Sequence, residues 1–243
     1  MGIVVYGSPS DWNDTRMTKL YTKFGDKGST FSLGLKEVGK HHCVIHTCGE
    51  LDELSALIGV MIQSFYDLAD RPAFLAHWED KLYSRRIGDF DKDIVLEFWS
   101  GIQTVLLDIG SVVTWLPKEP KLSHPYKAGI WVSIFEEMID EIDSQCPPLT
   151  QFILPSGTPL SAQLHYLRTV VRRAERSMSQ SIAELSGMYF TQSIFQCQEV
   201  QEGLQFLNRF SDFLFVLARY YNTSLQLGDQ EPNRLNREQH PIR

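Results

Sequence analysis

From Gly49 onward, apolar residues recur at the i, i+3, i+4, i+7 spacing of a helix that buries one face, and five segments carry the pattern. The first holds Leu51, Leu54, Leu57, Ile58, Met61, Ile62 and Phe65. The second runs through Val95, Phe98, Ile102, Val105, Leu106, Ile109, Val112 and Val113 and must stop before Pro117, because proline cannot continue a helix. Trp131, Ile134, Phe135, Met138, Ile139 and Ile142 mark the third and shortest, closed by Pro147-Pro148. The fourth begins at Pro159, whose fixed φ suits a first helical turn, and continues through Leu160, Leu164, Leu167, Val171, Ala174, Met178 and Ile182. Leu204, Leu207, Phe210, Leu214, Leu217 and Tyr221 mark the fifth. Strand signals are few, so the pattern predicts an all-α helix bundle with side-chain sites built between facing helices.

Two stretches break the pattern. Residues 67–93 are polar and of mixed charge and read as an exposed insertion between the first two helices. After Asn222 the chain carries Gly228, Pro232 and several Asn and Gln, which reads as a frayed tail. At 243 residues the chain suits one domain with a full core. Residues 1–18 then form an N-terminal extension, 19–225 the helical domain and 226–243 a flexible tail. The 23 Lys and Arg against 30 Asp and Glu leave a net charge of −7, which excludes a nucleic-acid-coating protein, whose footprint is basic. Cys43, Cys48, Cys146 and Cys197 are too few and too scattered for a disulfide framework and read as reduced thiols of an intracellular protein. No apolar run reaches the roughly 18 residues that span a bilayer, so no membrane partner is expected. The first sixteen residues hold Asp11 and Asp14 with Arg16 as the only basic residue, unlike a transit peptide.

Chemistry gathers in the fourth segment. Arg168, Arg172, Glu175 and Arg176 stand at i, i+4, i+7 and i+8 and share one helical face, with Arg173 beside them. Guanidinium forks match phosphate oxygens two at a time, and three stacked turns of them can span a triphosphate; the plain alternative is a solvated charged face. Ahead of the helices, Tyr21 to Thr30 brings two glycines, two lysines and three hydroxyls, the ingredients of a phosphate cradle without Walker A spacing. A Gly-Asp-Lys-Gly turn between two extended pieces would look the same. Asp52 and Glu53 fall in the first turn of the first helix, where acids complement the helix dipole, unless Asp52 pairs with an arginine of the strip. Asn208, Ser211, Asp212 and Arg219 make a polar line down the fifth helix, facing solvent or a site. His41, His42 and His46 surround Cys43, but adjacent histidines diverge and no carboxylate closes a metal shell. His165 lies on an apolar face and reads as a core histidine, and the lack of a Glu-x-x-His pair excludes a di-iron bundle.

Taken in order, Tyr21 to Thr30, Gly49 to Ser55, Phe152 to Gly157, Arg168 to Arg176 and Leu207 to Tyr220 resemble the PduO-type ATP:cob(I)alamin adenosyltransferases. Ile102-Gln103 through Gly110 is similar to that family's second helix. The resemblance implies a homotrimer of five-helix bundles in a ferritin-like up-down arrangement, with an N-terminal nucleotide-binding loop. ATP would lie between that loop of one chain and the helices of its neighbour. Thr22, Lys23, Gly25, Ser29, Thr30 and Lys40 would wrap it from the loop side, and Arg172, Arg173, Glu175, Arg176 and Asn208 from the bundle side. Asp52 would bridge to Arg168 across the subunit boundary, making Arg172, Arg168 and Asp52 the catalytic set, with Mg2+ carried on the ATP phosphates. Phe152 would sit against the corrin ring of cobalamin and displace its lower axial ligand.

The implied reaction moves the 5′-deoxyadenosyl group of ATP to cob(I)alamin, formed from cob(II)alamin and a reductant, giving adenosylcobalamin and triphosphate. An electron-donating reductase and methylmalonyl-CoA mutase, as acceptor of the product, would be the partners, in the mitochondrial matrix of a eukaryote or the cytoplasm of a bacterium. The residues agree chemically: a cobalt(I) corrin is itself the nucleophile, so no Ser, Cys or His constellation is needed, while the departing triphosphate calls for cations. Departures exist. His46 stands where the family carries a glutamate, His41 and His42 where aspartates are common, and Phe24 replaces a small polar residue. The histidines favour a rival reading, a non-catalytic trimeric scaffold or cobalamin- and ATP-binding chaperone; Lys23, Arg172, Glu175 and Asn208 favour the enzyme.

Overall fold

The computed structural model describes residues 21, 23–66, 78, 93–120, 122–189 and 193–232. The predicted insertion, apart from residues 78 and 93, lies outside the described residues, as do the N-terminal extension and Thr22. All five predicted helices form: α1 (Cys43–Tyr66), α2 (Ile94–Trp115), α3 (Ala128–Asp143), α4 (Pro159–Tyr189) and α5 (Gln198–Ser224). At 16 residues α3 is the shortest of the five. Asp93 caps α2, its carboxylate accepting from the backbone N–H groups of Val95 and Leu96.

One boundary differs from the reading above. Helix α1 starts at Cys43, so Asp52 and Glu53 lie in its third turn and its first turn carries no acid. The helix-dipole explanation for those two acids therefore falls. Thr47, fully buried and hydrogen-bonded to Ser181 at 2.8 Å, occupies the inward position that an apolar residue would have signalled.

Cross-helix bonds fix the directions. Helices α1 and α4 run antiparallel, with Thr47 level with Ser181 and Ser64 donating to Gln163 at 2.7 Å. Gln103 reaches the Ser55 carbonyl at 2.9 Å and Cys48 the Gly110 carbonyl at 3.8 Å, so α1 and α2 are also antiparallel. Ser161 meets the Ala218 carbonyl at 3.1 Å, which orders α4 against α5, while α3 lies parallel to α5 through Glu136–Arg209 and Asp143–Arg219. The result is an up-down bundle. Its core is aromatic: Phe135 stacks on Phe210 and Phe213 at 5.4 and 5.3 Å, and Phe98 meets Trp99 and Trp131 edge-on. Helix α2 is long and apolar enough to cross a membrane, contrary to the expectation from uninterrupted runs. Its Phe98, Trp99, Ile102, Leu106 and Ile109 face inward, so its apolar character belongs to the core.

A hairpin that the helical pattern did not predict precedes α1. Strands β1 (Ser29–Ser32) and β2 (Lys36–Gly39) pair antiparallel, Ser29 opposite Gly39. The hairpin is bolted to the end of α2, where the Ser32 hydroxyl and the Gly34 N–H both donate to the Thr114 carbonyl at 2.8 Å. At the opposite end of the bundle residues 144–158 join α3 to α4. The first part of the tail expected to fray is held there as far as Gln230: the Leu154 N–H donates to the Gln230 carbonyl at 2.7 Å, and Arg219 Nε to Asp229 at 2.8 Å.

Candidate active site

Helix α4 carries the cationic strip along one side of the bundle. Arg172 and Arg176 are exposed, and neither forms an ion pair among the described residues. Between them Glu175 is half-buried and accepts from the Asn208 amide on α5 at 3.0 Å. Arg209 extends that contact, donating from Nη1 to the Asn208 side-chain oxygen at 2.6 Å and from Nε to Glu136 on α3 at 2.8 Å. Glu175, Asn208, Arg209 and Glu136 thus form a chain across three helices. Sequence reading found its first two members; Arg209 was signalled only by its adjacency to Asn208.

Arg173 leaves the strip. The guanidinium turns to α1 and binds Glu50 and Glu53 together, which holds it firmly protonated. It was expected to contact ATP; within the chain its Nε and Nη2 are taken by the two carboxylates, which ties α1 to α4. Glu53 is thereby explained, and Glu50 also stands 3.7 Å from His46.

Arg168, half-buried, spreads over the Phe215 ring at 5.4 Å, a cation–π geometry, and forms part of a cleft of about 570 Å³. Phe152, Ile153, His165, Asp212 and Phe215 also line it. Phe152 is 82% exposed, an apolar ring held out into the cleft mouth. His165 is buried with no hydrogen-bond partner for its Nε2 among the described residues, and burial first, then the charge of Arg168, lowers its pKa below the ordinary 6.5. Expected as a core histidine, it is buried and forms part of the cleft lining. Asp52, half-buried on α1, forms no ion pair among the described residues, so the expected bridge to Arg168 is not made within the chain.

The N-terminal segment gathers most of its predicted members. Lys23 adopts φ 61° before the short turn Phe24–Lys27, and Gly28 follows at φ 79°, a left-handed conformation that glycine takes freely. Lys40 folds back so that its Nζ sits 2.9 Å from where a Cβ on Gly25 would stand, and its N–H donates to the Gly28 carbonyl at 2.9 Å. Ser29 and Thr30 lie on β1, Thr30 buried with its hydroxyl unpartnered among the described residues. The loop therefore presents Lys23, Gly25, Ser29 and Lys40 around one turn.

The remaining candidates separate. Arg219 and Ser211 are buried and leave the polar line; Arg219 binds Asp143, Asp229 and the Pro147 carbonyl, whereas Asp212 stays exposed at the cleft. His42 accepts from the Val44 N–H at 3.3 Å at the start of α1. No group of three or more His, Cys, Asp or Glu able to hold a metal occurs among the described residues. Asn222 went unnoticed in the sequence. It is buried, accepting from the Thr158 N–H at 3.2 Å and donating to the Ser156 carbonyl at 3.0 Å.

The fold and the site define a helical-bundle protein with an outward cationic strip running from an apolar-walled cleft. A model of the cobalamin adenosyltransferase family matches residues 20–221, and the chain belongs to that family. It is 33% identical to the corrinoid adenosyltransferase MMAB of Homo sapiens over 221 residues, covering 89% of this chain and 73% of that protein. It is 31% identical to the corrinoid adenosyltransferase of Bacillus subtilis, covering 89% and 93%. Among solved structures it resembles a variant of the PduO-type ATP:corrinoid adenosyltransferase from Lactobacillus reuteri complexed with cobalamin and ATP, at 29% identity and a TM-score of 0.65, covering 89% of this chain and 97% of that one.

Proposed function

We infer that the chain transfers the 5′-deoxyadenosyl group of ATP to the cobalt of cob(I)alamin. The cobalt(I) electron pair forms the Co–C5′ bond as the C5′–O bond breaks, cobalt becomes formally Co(III), and triphosphate leaves. The observation that carries this reading is the order of groups on α4. Arg168 stands in the wall of the Phe152 cleft, and Arg172 and Arg176, without ion-pair partners among the described residues, follow at steps of four residues, roughly 6 Å each along the axis. A corrin in the cleft and a polyphosphate on the strip would thus meet on one helix. Arg172 and Arg176 would take up charge on the departing triphosphate, and Glu175, held by Asn208, would keep them apart and aimed. Phe152 would bar water or a base from the lower face of cobalt, and a four-coordinate Co(II) accepts its electron more readily. Mg2+ suits the site as the ATP complex, held by phosphate oxygens, since the described carboxylates form no cage for it.

The loop completes the site from a neighbouring chain in a homotrimer. Within one chain the hairpin sits at the end of the bundle near the Ser181 level, nine residues or roughly 14 Å along α4 from Arg172. Lys23, Gly25, Ser29 and Lys40 of one subunit would then close on the Arg172 strip of the next. Asp52, which lacks an ion pair among the described residues, would reach Arg168 across the same boundary. A reductase for Co(II) and an acceptor such as methylmalonyl-CoA mutase are the partners this chemistry calls for. The test is direct: incubate the chain with cob(II)alamin, a reductant, Mg2+ and ATP and follow adenosylcobalamin by its absorption spectrum. Absence of ATP-dependent product from folded protein overturns the reading.

A further inference from the structure

Phe152 presents a difficulty that the cleft alone does not resolve. The ring is 82% exposed and rides on a connection rich in helix-breaking residues, Pro147, Pro148, Pro155 and Gly157, so its own packing cannot hold it at a fixed height. Three contacts from the C-terminal end of the chain bracket it. At the start of the connection Arg219, 1% exposed, donates from Nη2 to the Pro147 carbonyl. Two residues after Phe152 the Leu154 N–H donates to the Gln230 carbonyl at 2.7 Å. At its end Asn222 takes the Thr158 N–H and the Ser156 carbonyl, pressed so close to Gly157 that a Cβ there would lie 1.9 Å from its oxygen, at φ 115°.

The segment that supplies Gln230 is itself fixed by the same two residues. Arg219 Nε binds Asp229 at 2.8 Å while its Nη1 binds Asp143 at the end of α3, and the Leu227 N–H donates to the Asn222 carbonyl at 2.9 Å. We propose that Arg219, Asn222 and the strap of residues 226–232 are a positioning frame for Phe152, making corrin binding depend on a C-terminal segment that touches none of the predicted nucleotide contacts. The proposal rests on the cobalamin role inferred for the cleft. Arg219 is the hub, and Asp229 is the partner that the strap itself supplies.

Arg219→Ala risks misfolding, because it strands Asp143 and Asp229 together. Asp229→Ala leaves Arg219 two of its three partners and releases only the strap, and Asp229→Glu is the conservative control. In the full-length chain, hydrogen exchange at the Leu154 amide is expected to rise at least tenfold in Asp229→Ala, with the Thr158 amide, held by Asn222, and the α2 and α5 core unchanged. The KM for cobalamin is expected to rise about tenfold while that for ATP stays within twofold, and Asp229→Glu restores both readouts. Unchanged exchange at Leu154 overturns the frame, as does an equal loss of cobalamin and ATP affinity. If the wild-type chain makes no adenosylcobalamin, the functional reading fails while the exchange experiment still decides the frame.

Discussion

Arg172 and Arg173 are adjacent on α4, yet the helix sends them to opposite duties: the first projects outward without an ion-pair partner among the described residues, the second is clasped by Glu50 and Glu53. Substitution should therefore separate activity from stability. Arg172→Ala is expected to lower kcat by about 10²-fold or more with no change in melting temperature, because a preorganised cation acts on charge that develops in the transition state. Arg173→Ala is expected to cost about 2 kcal/mol of stability, since it leaves the buried Glu50 carboxylate unsatisfied, and to alter kcat far less. Steady-state kinetics beside thermal melts check both, and a swap of the two phenotypes refutes the assignment. His165 gives a pH signature at the same scale. Its folded pKa lies below the ordinary 6.5, so as pH falls the unfolded chain takes up its proton first. The stability this residue contributes is present above about 6.5 and drains away as pH drops through the folded value. Urea midpoints at pH 7.5 and 5.5 should differ less in His165→Gln than in the wild type; an unaltered difference assigns the acid limb to other groups.

At the scale of elements, the apolar period made all five helices legible, because each buries a continuous stripe against its neighbours. It failed where polar residues do inward work. Thr47 hid the first turn and a half of α1, and buried Arg219 passed for part of a polar line facing solvent or a site because its three partners come from α3, the turn after it and the strap. Of the site, the α4 face and Phe152 were visible as motifs, whereas the Arg173 tie and the Asn222 clamp depend on which helix lies opposite, which spacing within one helix does not encode. The hairpin is the element most exposed to a single change. A Cβ on Gly34 would lie 2.1 Å from the Leu116 carbonyl and 2.2 Å from that of Trp115, both backbone and unable to yield. Gly34→Ala should push the hairpin off α2, taking Ser29 and Thr30 with it. Far-UV circular dichroism is expected to keep its helical amplitude while ATP affinity falls at least tenfold; retention of wild-type affinity would separate the hairpin from nucleotide binding.

For the whole molecule, the decisive matter is whether one chain owns a complete site. The loop residues Lys23 and Lys40 gather at one end of the bundle and Arg172 lies along its side, so a shared site makes a quantitative statement about mixtures. In the proposed ring of three chains, each site would take its loop from one subunit and its strip from the next. A Lys23→Ala chain spoils the loop it lends, and an Arg172→Ala chain spoils the strip it keeps. Every ring containing both variants then has one site built from an undamaged loop and an undamaged strip. Random assembly from equal amounts puts about three quarters of the rings in that class, with one site in three restored, so about one quarter of wild-type activity should return when the two inactive proteins are unfolded together and refolded. Each variant refolded alone supplies the baseline. Recovery near one quarter requires loop and strip to come from different chains, whereas a mixture no more active than its components means that each chain closes its own site.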